Sequence, residues 1–387
     1  MRWLLPILLA ACTTAATADH DDDAFWSDTH PDDGDVAGAV NAGARVGLGI
    51  GATDDAELVE HLPVARSEDR ASRRVVLRLS PGELPGLARG DRLIVPAEVE
   101  VTTRCDIGQT APGCNYNPNI RALLLLTGNR DDTTGAGSSI ALASQRQTCT
   151  HADHHCLFTF TPSDTARELA GAACVDSNSC FVNLVMWAWH PDARAGDVDD
   201  VLVGSNEGNY LDNGIVEGDQ ARLMAVRERG VTADDRALRE TSGGGELVMP
   251  MNAQATLVYS HRLKGGDLVA GEQFLVEAKL VAAVSSRARF STQLFVTKDP
   301  RATSGGVDRI NPGAVSEHNG INCTDGTSPC TVRKVAVFRV TGDIADAVYV
   351  NVVAHSEVPG PGTARVVVRR GDGWVRSIRY PAPLAGP

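Results

Sequence analysis

The chain has 387 residues, of which 43% are hydrophobic, enough for two or three domains with cores of their own. Its 36 basic and 49 acidic residues leave a formal charge of −13, and only four of the basic residues are Lys: Lys264, Lys279, Lys298 and Lys334. No basic patch interrupts that acidity, which argues against a nucleic-acid partner. No later run approaches 18 apolar residues, which excludes a second helical membrane span.

In chain order, the first element is a targeting signal. Met1-Arg2-Trp3 supplies one positive charge, Leu4 to Leu9 a short apolar run, and small residues close it. Residues 1–18 are therefore read as a secretory signal, too short to remain as a spanning helix. Its end, Leu9-Ala10-Ala11-Cys12, resembles the lipobox of bacterial lipoproteins. The resemblance implies that a diacylglycerol is joined to the Cys12 thiol. The mature chain then begins at Cys12 and is held to the outer membrane or cell surface. Acyl chains contribute about 0.8 kcal/mol per buried methylene, so several would anchor the protein firmly. Cleavage after Ala16-Thr17-Ala18 would instead release a secreted protein.

Residues 19–35 hold eight Asp and no Lys or Arg. Such a like-charged segment repels itself and cannot bury a core, so a disordered acidic tether is expected there. Beyond it, eight cysteines fall into sequential close pairs: Cys105/Cys114, Cys149/Cys156, Cys174/Cys180 and Cys323/Cys330. Each pair brackets turn-forming residues, so four local disulfides are the economical arrangement among the many connectivities that eight cysteines allow. An oxidising compartment follows.

The chain also repeats itself. Thr53–Leu58 is paired with Thr232–Leu238, and Val75–Leu79 with Ala255–Tyr259. Gly90–Val99 is paired with Gly271–Leu280, and Leu123–Thr127 with Gln293–Thr297. Two C-x₆-C loops follow, then Phe181–Val185 against Tyr349–Val353. Each half closes on a Gly-Asp turn, at Gly218-Asp219 and Gly371-Asp372. Matches in one order imply two homologous domains, 36–230 and 231–387. Cys105–Cys114 and Cys174–Cys180 belong to the first half alone.

Most apolar segments are short, rich in Val, Leu, Ile and Thr, and alternate with period two. Arg92 to Val101 shows this best, with one face expected buried and the other wet. Turn residues break the runs about every ten positions, the pattern of antiparallel sandwiches. The fold expected is all-β: two tandem antiparallel β-sandwiches, jelly-roll or immunoglobulin-like. Leu123–Leu126 and Val182–Trp189, apolar on both faces, are expected as central strands. Short helices are expected from Thr232 to Gly243 and from Ser163 to Gly171.

No nucleophile elbow, zincin motif, phosphate loop or dinucleotide fingerprint occurs. The densest cluster of potential ligands is His151, Asp153, His154 and His155 inside the first C-x₆-C loop, a set able to hold Cu or Zn. The second loop has no His, so a duplicated metal site is excluded. The His154-His155 pair on a two-sandwich plan resembles the copper-dependent peptidylglycine monooxygenases, which implies further ligands in the second sandwich, where His261 stands. Asn129–Asp132 and Asp197–Asp200 are acidic loops of the kind that take Ca²⁺. Trp187 and Trp189 alternate along a strand and share a face, as a carbohydrate platform or as packing. The function expected is a non-catalytic module, anchored to the membrane through Cys12, that binds a surface glycan or protein through loops of its sandwiches. The alternatives are a two-sandwich metal enzyme and a structural envelope protein.

Overall fold

In the computed structural model, the structure describes residues 26–28, 45–51, 60–69, 72–84, 86–103, 117–149, 155–193, 200–203, 221–229, 237–249, 253–285, 288–304, 306–311, 319–323, 329–357, 365–380 and 382. The first half contains β1 (Trp26–Asp28), β2 (Arg45–Gly51), β3 (Glu60–Ala65), β4 (Arg74–Leu79), β5 (Arg92–Ile94), β6 (Ala97–Thr103), β7 (Asn119–Thr127), β8 (Ile140–Thr148) and β9 (His155–Phe160). It continues with α1 (Pro162–Thr165), β10 (Arg167–Glu168), α2 (Ala173–Asp176), β11 (Phe181–Trp189), β12 (Asp200–Val203) and β13 (Ala221–Arg229). The second half contains β14 (Ala237–Ser242), β15 (Glu246–Met249), β16 (Ala253–Arg262), β17 (Gln273–Val284), β18 (Ala288–Thr297) and β19 (Ile310–Asn311). It ends with β20 (Asn319–Cys323), β21 (Cys330–Val340), β22 (Tyr349–Glu357), β23 (Val366–Arg369) and β24 (Trp374–Tyr380).

Both halves lay their strands out in one order. In the first, β2, β13, β5–β6 and β9 form one sheet, and β4, β11, β7 and β8 the other. In the second, β14, β24, β17 and β21 correspond to the first sheet, and β16, β22, β18 and β20 to the second. Even the accessory strands agree, because β12 beside the end of β6 matches β23 beside the end of β17. Two four-stranded sheets crossing in this order are a jelly roll, so the chain is a tandem of two.

Period-two patterning builds each core. Val99, Leu124, Phe158, Val182 and Leu184 point into the first sandwich, and Phe274, Val276, Phe290, Val350 and Val375 into the second. Paired positions explain the repeated motifs. Gly90 and Gly271 adopt φ of +82° and +95°, a region open to Gly at no steric cost. At each turn the next carboxylate takes a backbone N–H: Ala88 donates to Asp91 Oδ2 at 2.8 Å and Val269 to Glu272 Oε2 at 2.9 Å. Buried Asn183 and Asn351 also act alike, each donating its amide to carbonyls of the loop after β7 or β18.

Cys149–Cys156 and Cys174–Cys180 are disulfides. Cys330 is disulfide-bonded as well, and Cys323 ends β20. Cys12, Cys105 and Cys114 lie outside the described residues.

Four expectations are corrected. Ala237–Ser242 is strand β14, not helix: its Arg239 and Thr241 are buried and all six residues pair with β24, so tertiary pairing overrides a capping-box start. That placement also breaks the first sequence match, because residues 53–58 follow β2 whereas 232–236 precede β14. The acidic tether is not structureless throughout, since Trp26–Asp28 adds β1 to the edge of β14, opposite Thr241, Glu240 and Arg239, satisfying backbone groups an edge strand leaves open. Lastly, the wet face expected of Arg92–Val101 is dry: Glu98 is 1% exposed and Glu100 fully buried.

The reason is the seam between the sandwiches. Ile94, Met224 and Val226 of the first pack with Leu275, Val335, Val337 and Tyr380 of the second in one buried cluster. The contacts are close to self-complementary. Arg92 pairs with Glu228 as Gln273 pairs with Tyr380, and the two partners meet, Tyr380 Oη donating to Glu228 Oε1 at 2.8 Å. Thr159 and Arg333, at equal places in β9 and β21, also touch, Thr159 Oγ1 donating to Arg333 O at 3.1 Å. The same sheet of each copy thus meets the other, as in a two-fold dimer. At the edge, the buried Lys334 ammonium pairs with buried Glu98, and Leu157 of β9 lies in the second core rather than the first.

Candidate functional site

The seam covers one sheet of each sandwich and leaves the other facing away from it. On the first sandwich that outer face carries Leu125, Val185, Trp187 and Trp189, with Ala65, Val75 and Leu123 packed against them. Trp187 and Trp189 are 1% and 8% exposed. They belong neither to the inner core nor to the seam. Arginines roof them: the Arg73 guanidinium lies 4.2 Å from the Trp187 ring centre, Arg121 at 5.9 Å from the same ring, and Arg146 at 4.9 Å from Trp189. Such stacking is worth about 0.5–1 kcal/mol at exposed sites and about 2 when desolvated.

Register makes this a grid. Arg146, Arg121 and Trp187 stand side by side across β8, β7 and β11, and Thr148, Asn119 and Trp189 form the next row. Arg146 Nη2 and Thr148 Oγ1 both donate to Asn119 Oδ1, at 3.0 and 3.1 Å. Two guanidiniums directly opposite each other are unfavourable. Glu68 offsets one of them through its ion pair with Arg121, while Arg146 is exposed. In the second sandwich the same rows read Gly320–Ser291–His355 and Asn322–Arg289–Glu357. The fold therefore does not require the indole–guanidinium rows.

The other candidates resolve differently. His151, Asp153 and His154 lie outside the described residues, and His155 begins β9 opposite Thr102. Among the described residues no group of three His, Cys, Asp or Glu is placed to hold a metal. His261 is fully buried, and both ring nitrogens are engaged, Nδ1 with Thr241 Oγ1 at 2.8 Å and Nε2 with Ser377 Oγ at 2.7 Å. It is a neutral bridge inside the second sandwich, so the copper reading loses its second-domain ligand. In the Asn129–Asp132 loop, Asp132 accepts from Thr134 N, Gly135 N and Ser139 Oγ, and Asp131 pairs with Arg78. Burial pushes the Asp132 carboxyl up, but these donors outweigh it and hold it below the usual range. The loop is thus stabilised by its own donors. Asp197–Asp199 lie outside the described residues, and Asp200 begins β12.

Two buried groups give the stability a pH signature. Burial, then the charge of Arg239, brings His261 down to about 3. Unfolded His titrates near 6.5, so between that pH and about 3 the unfolded chain binds a proton the native state refuses, and stability falls as pH falls. Glu277, at the edge of the seam, runs the other way. Burial raises it to about 7 against the pull of Arg333 and Arg376, so its contribution is lost as pH rises from about 4.5 to 7. Urea midpoints across pH should show a shallower acid limb in His261→Gln and a shallower fall toward neutrality in Glu277→Gln.

The architecture is a tandem jelly-roll protein, and comparisons with known proteins add fold likeness alone. No family model matches the chain, and no curated protein matches it. Among solved structures, the infectious bursal disease virus Gx strain matches over 76% of this chain and 63% of that one, at 11% identity and TM-score 0.24. The chain thus spans less than two thirds of that protein's length. The CBM22-1–CBM22-2 tandem domain of Paenibacillus barcinonensis Xyn10C matches over 78% and 82%, at 10% identity and TM-score 0.20. Cowpea mosaic virus top component matches over 88% and 89%, at 8% identity and TM-score 0.17.

The arginines of the outer face were missed in the sequence. Arg121 and Arg146 lie 25 positions apart, and only the register of β7 with β8 places them side by side. Arg121 alternates with the apolar Ile120 and Ala122, whereas Arg146 stands between Gln145 and Gln147 and carries no such signal.

Proposed function

We propose that the chain is an exported, lipid-anchored cell-envelope protein that acts as a non-catalytic binding module, and that the outer face of its first sandwich is the binding surface. The observation that carries this is the divergence of the two copies. One fold serves both, yet only the first covers its outer sheet with stacked Arg and Trp, at places where the second has Ser291, Gly320 and His355. This moves the expected contact from the loops to a rigid sheet, which holds side chains more firmly. Disulfides fit an extracytoplasmic compartment, and the Cys12 signal supplies the anchor.

A glycan and protein array probed with the full mature chain tests the binding role. Retention of an envelope or matrix polymer, lost on Trp187→Ala/Arg121→Ala substitution in a folded protein, is the expected result. Retention of nothing points to a structural role instead. Uptake of labelled fatty acid should disappear in Cys12→Ala, and label persisting there would remove the anchor.

A further inference from the structure

We propose that the Arg146–Arg121–Trp187 face binds an acidic polysaccharide bearing carboxylates on its sugar units, which rests on the reading of that face as a binding surface. The first argument is charge. In a chain of net −13, this face stacks Arg73, Arg121 and Arg146 over its indoles, with Glu68 ion-paired to Arg121. Arg121 and Arg146 stand directly opposite on neighbouring strands, about 4.8 Å apart in backbone spacing, a repulsion that a bridging anion relieves.

The second argument is unmet hydrogen bonding. Trp187 Nε1 and Arg121 Nε are buried donors without an acceptor among the described residues, and buried donors are costly to leave unpaired. The face holds an excess of donors, so its complement is rich in acceptors. The third is organisation. Guanidiniums stacked on indoles are held in plane before binding, the geometry for forked contact with carboxylates, and less freedom is lost when they engage. Between them Asn119, Thr148 and Ser144 offer polar groups to sugar hydroxyls, and Thr148 and Ser144 are exposed. A lipid surface fits poorly, because both indoles are covered and the only large exposed hydrophobics among the described residues are Val248 and Val269, on the other sandwich.

The test is affinity electrophoresis of the full mature chain in gels containing polygalacturonate, neutral dextran or poly-L-glutamate. Polygalacturonate should retard the protein, less so as salt screens the contacts. Arg121→Gln and Arg146→Gln should each weaken retardation tenfold or more with thermal unfolding unchanged. Glu68→Gln should strengthen it severalfold by freeing Arg121, an increase that a misfolded variant cannot give. Equal retardation by dextran, stronger retardation by poly-L-glutamate, or Arg variants that bind as well as the parent would overturn the proposal. An array ligand retained while polygalacturonate is not would overturn it and leave the binding module standing. Failure of every ligand on gel and array would remove both.

Discussion

Replacing Lys334 by Met should lower the unfolding free energy by about 3–5 kcal/mol, the usual cost of removing one partner from a buried ion pair. Lys334 is fully buried and Glu98 is 1% exposed, and the two belong to different sandwiches. Burial is the largest influence on Lys334 and lowers its pKa, while Glu98 and Glu100 act against it. Removal of the cation takes the ammonium away from Glu98 beneath the seam, where Val335 N–H donates to its Oε2 at 3.4 Å. A double variant, Glu98→Leu/Lys334→Met, should recover most of the loss, because apolar replacement of a whole buried pair is commonly neutral or better. Urea denaturation of the single and double variants measures this. A single variant within 1 kcal/mol of the parent would show that water reaches the pair.

Leu157→Ala should cost about 2–5 kcal/mol, and its location is the informative part. Leu157 sits in β9 of the first sandwich, yet packs in the second core with Val332, Ala336 and Phe290 among the cluster. Its neighbours Cys156 and Phe158 point the other way, into the first core. Hydrogen exchange should therefore accelerate in β17 and β21 at least as much as in β6. Acceleration confined to the first sandwich would contradict the assignment of Leu157 to the second core. Together the two variants test whether the sandwiches stand as one unit, for which the apolar seam of Ile94, Val226, Leu275 and Tyr380 is the main argument.

Much of the fold was legible. Matching Leu123–Thr127 with Gln293–Thr297 and Phe181–Val185 with Tyr349–Val353 pairs the residues that β7, β18, β11 and β22 make equivalent. These strands carry an unbroken pattern, so their alignment survives divergence. Matching Val75–Leu79 with Ala255–Tyr259 finds the right strands but a register two residues off: Leu79 and His261, opposite Val182 and Val350, are the true equivalents. Both strand pairs bulge at the same place, opposite Leu184–Val185 and Val352–Val353, and a shift of two keeps each side chain on its face, so the pattern could not reveal it.

The sequence by itself determined the strand-rich composition, the close cysteine pairs and the duplication, because each is written in neighbouring residues or in one fixed period. Only the tertiary structure decided what lies outside each sandwich. Glu98 and Glu100 alternate as a wet face should, and are dry because a second copy of the same sheet lies on them. Trp187 and Trp189 read as packing or platform, and they are packed, in a small buried cluster on the outer face that arginines from β8, β7 and the chain before β4 roof. Alternation records which residues share a face. What covers that face depends on contacts between residues as far apart as Glu98 and Lys334, and no local period encodes them.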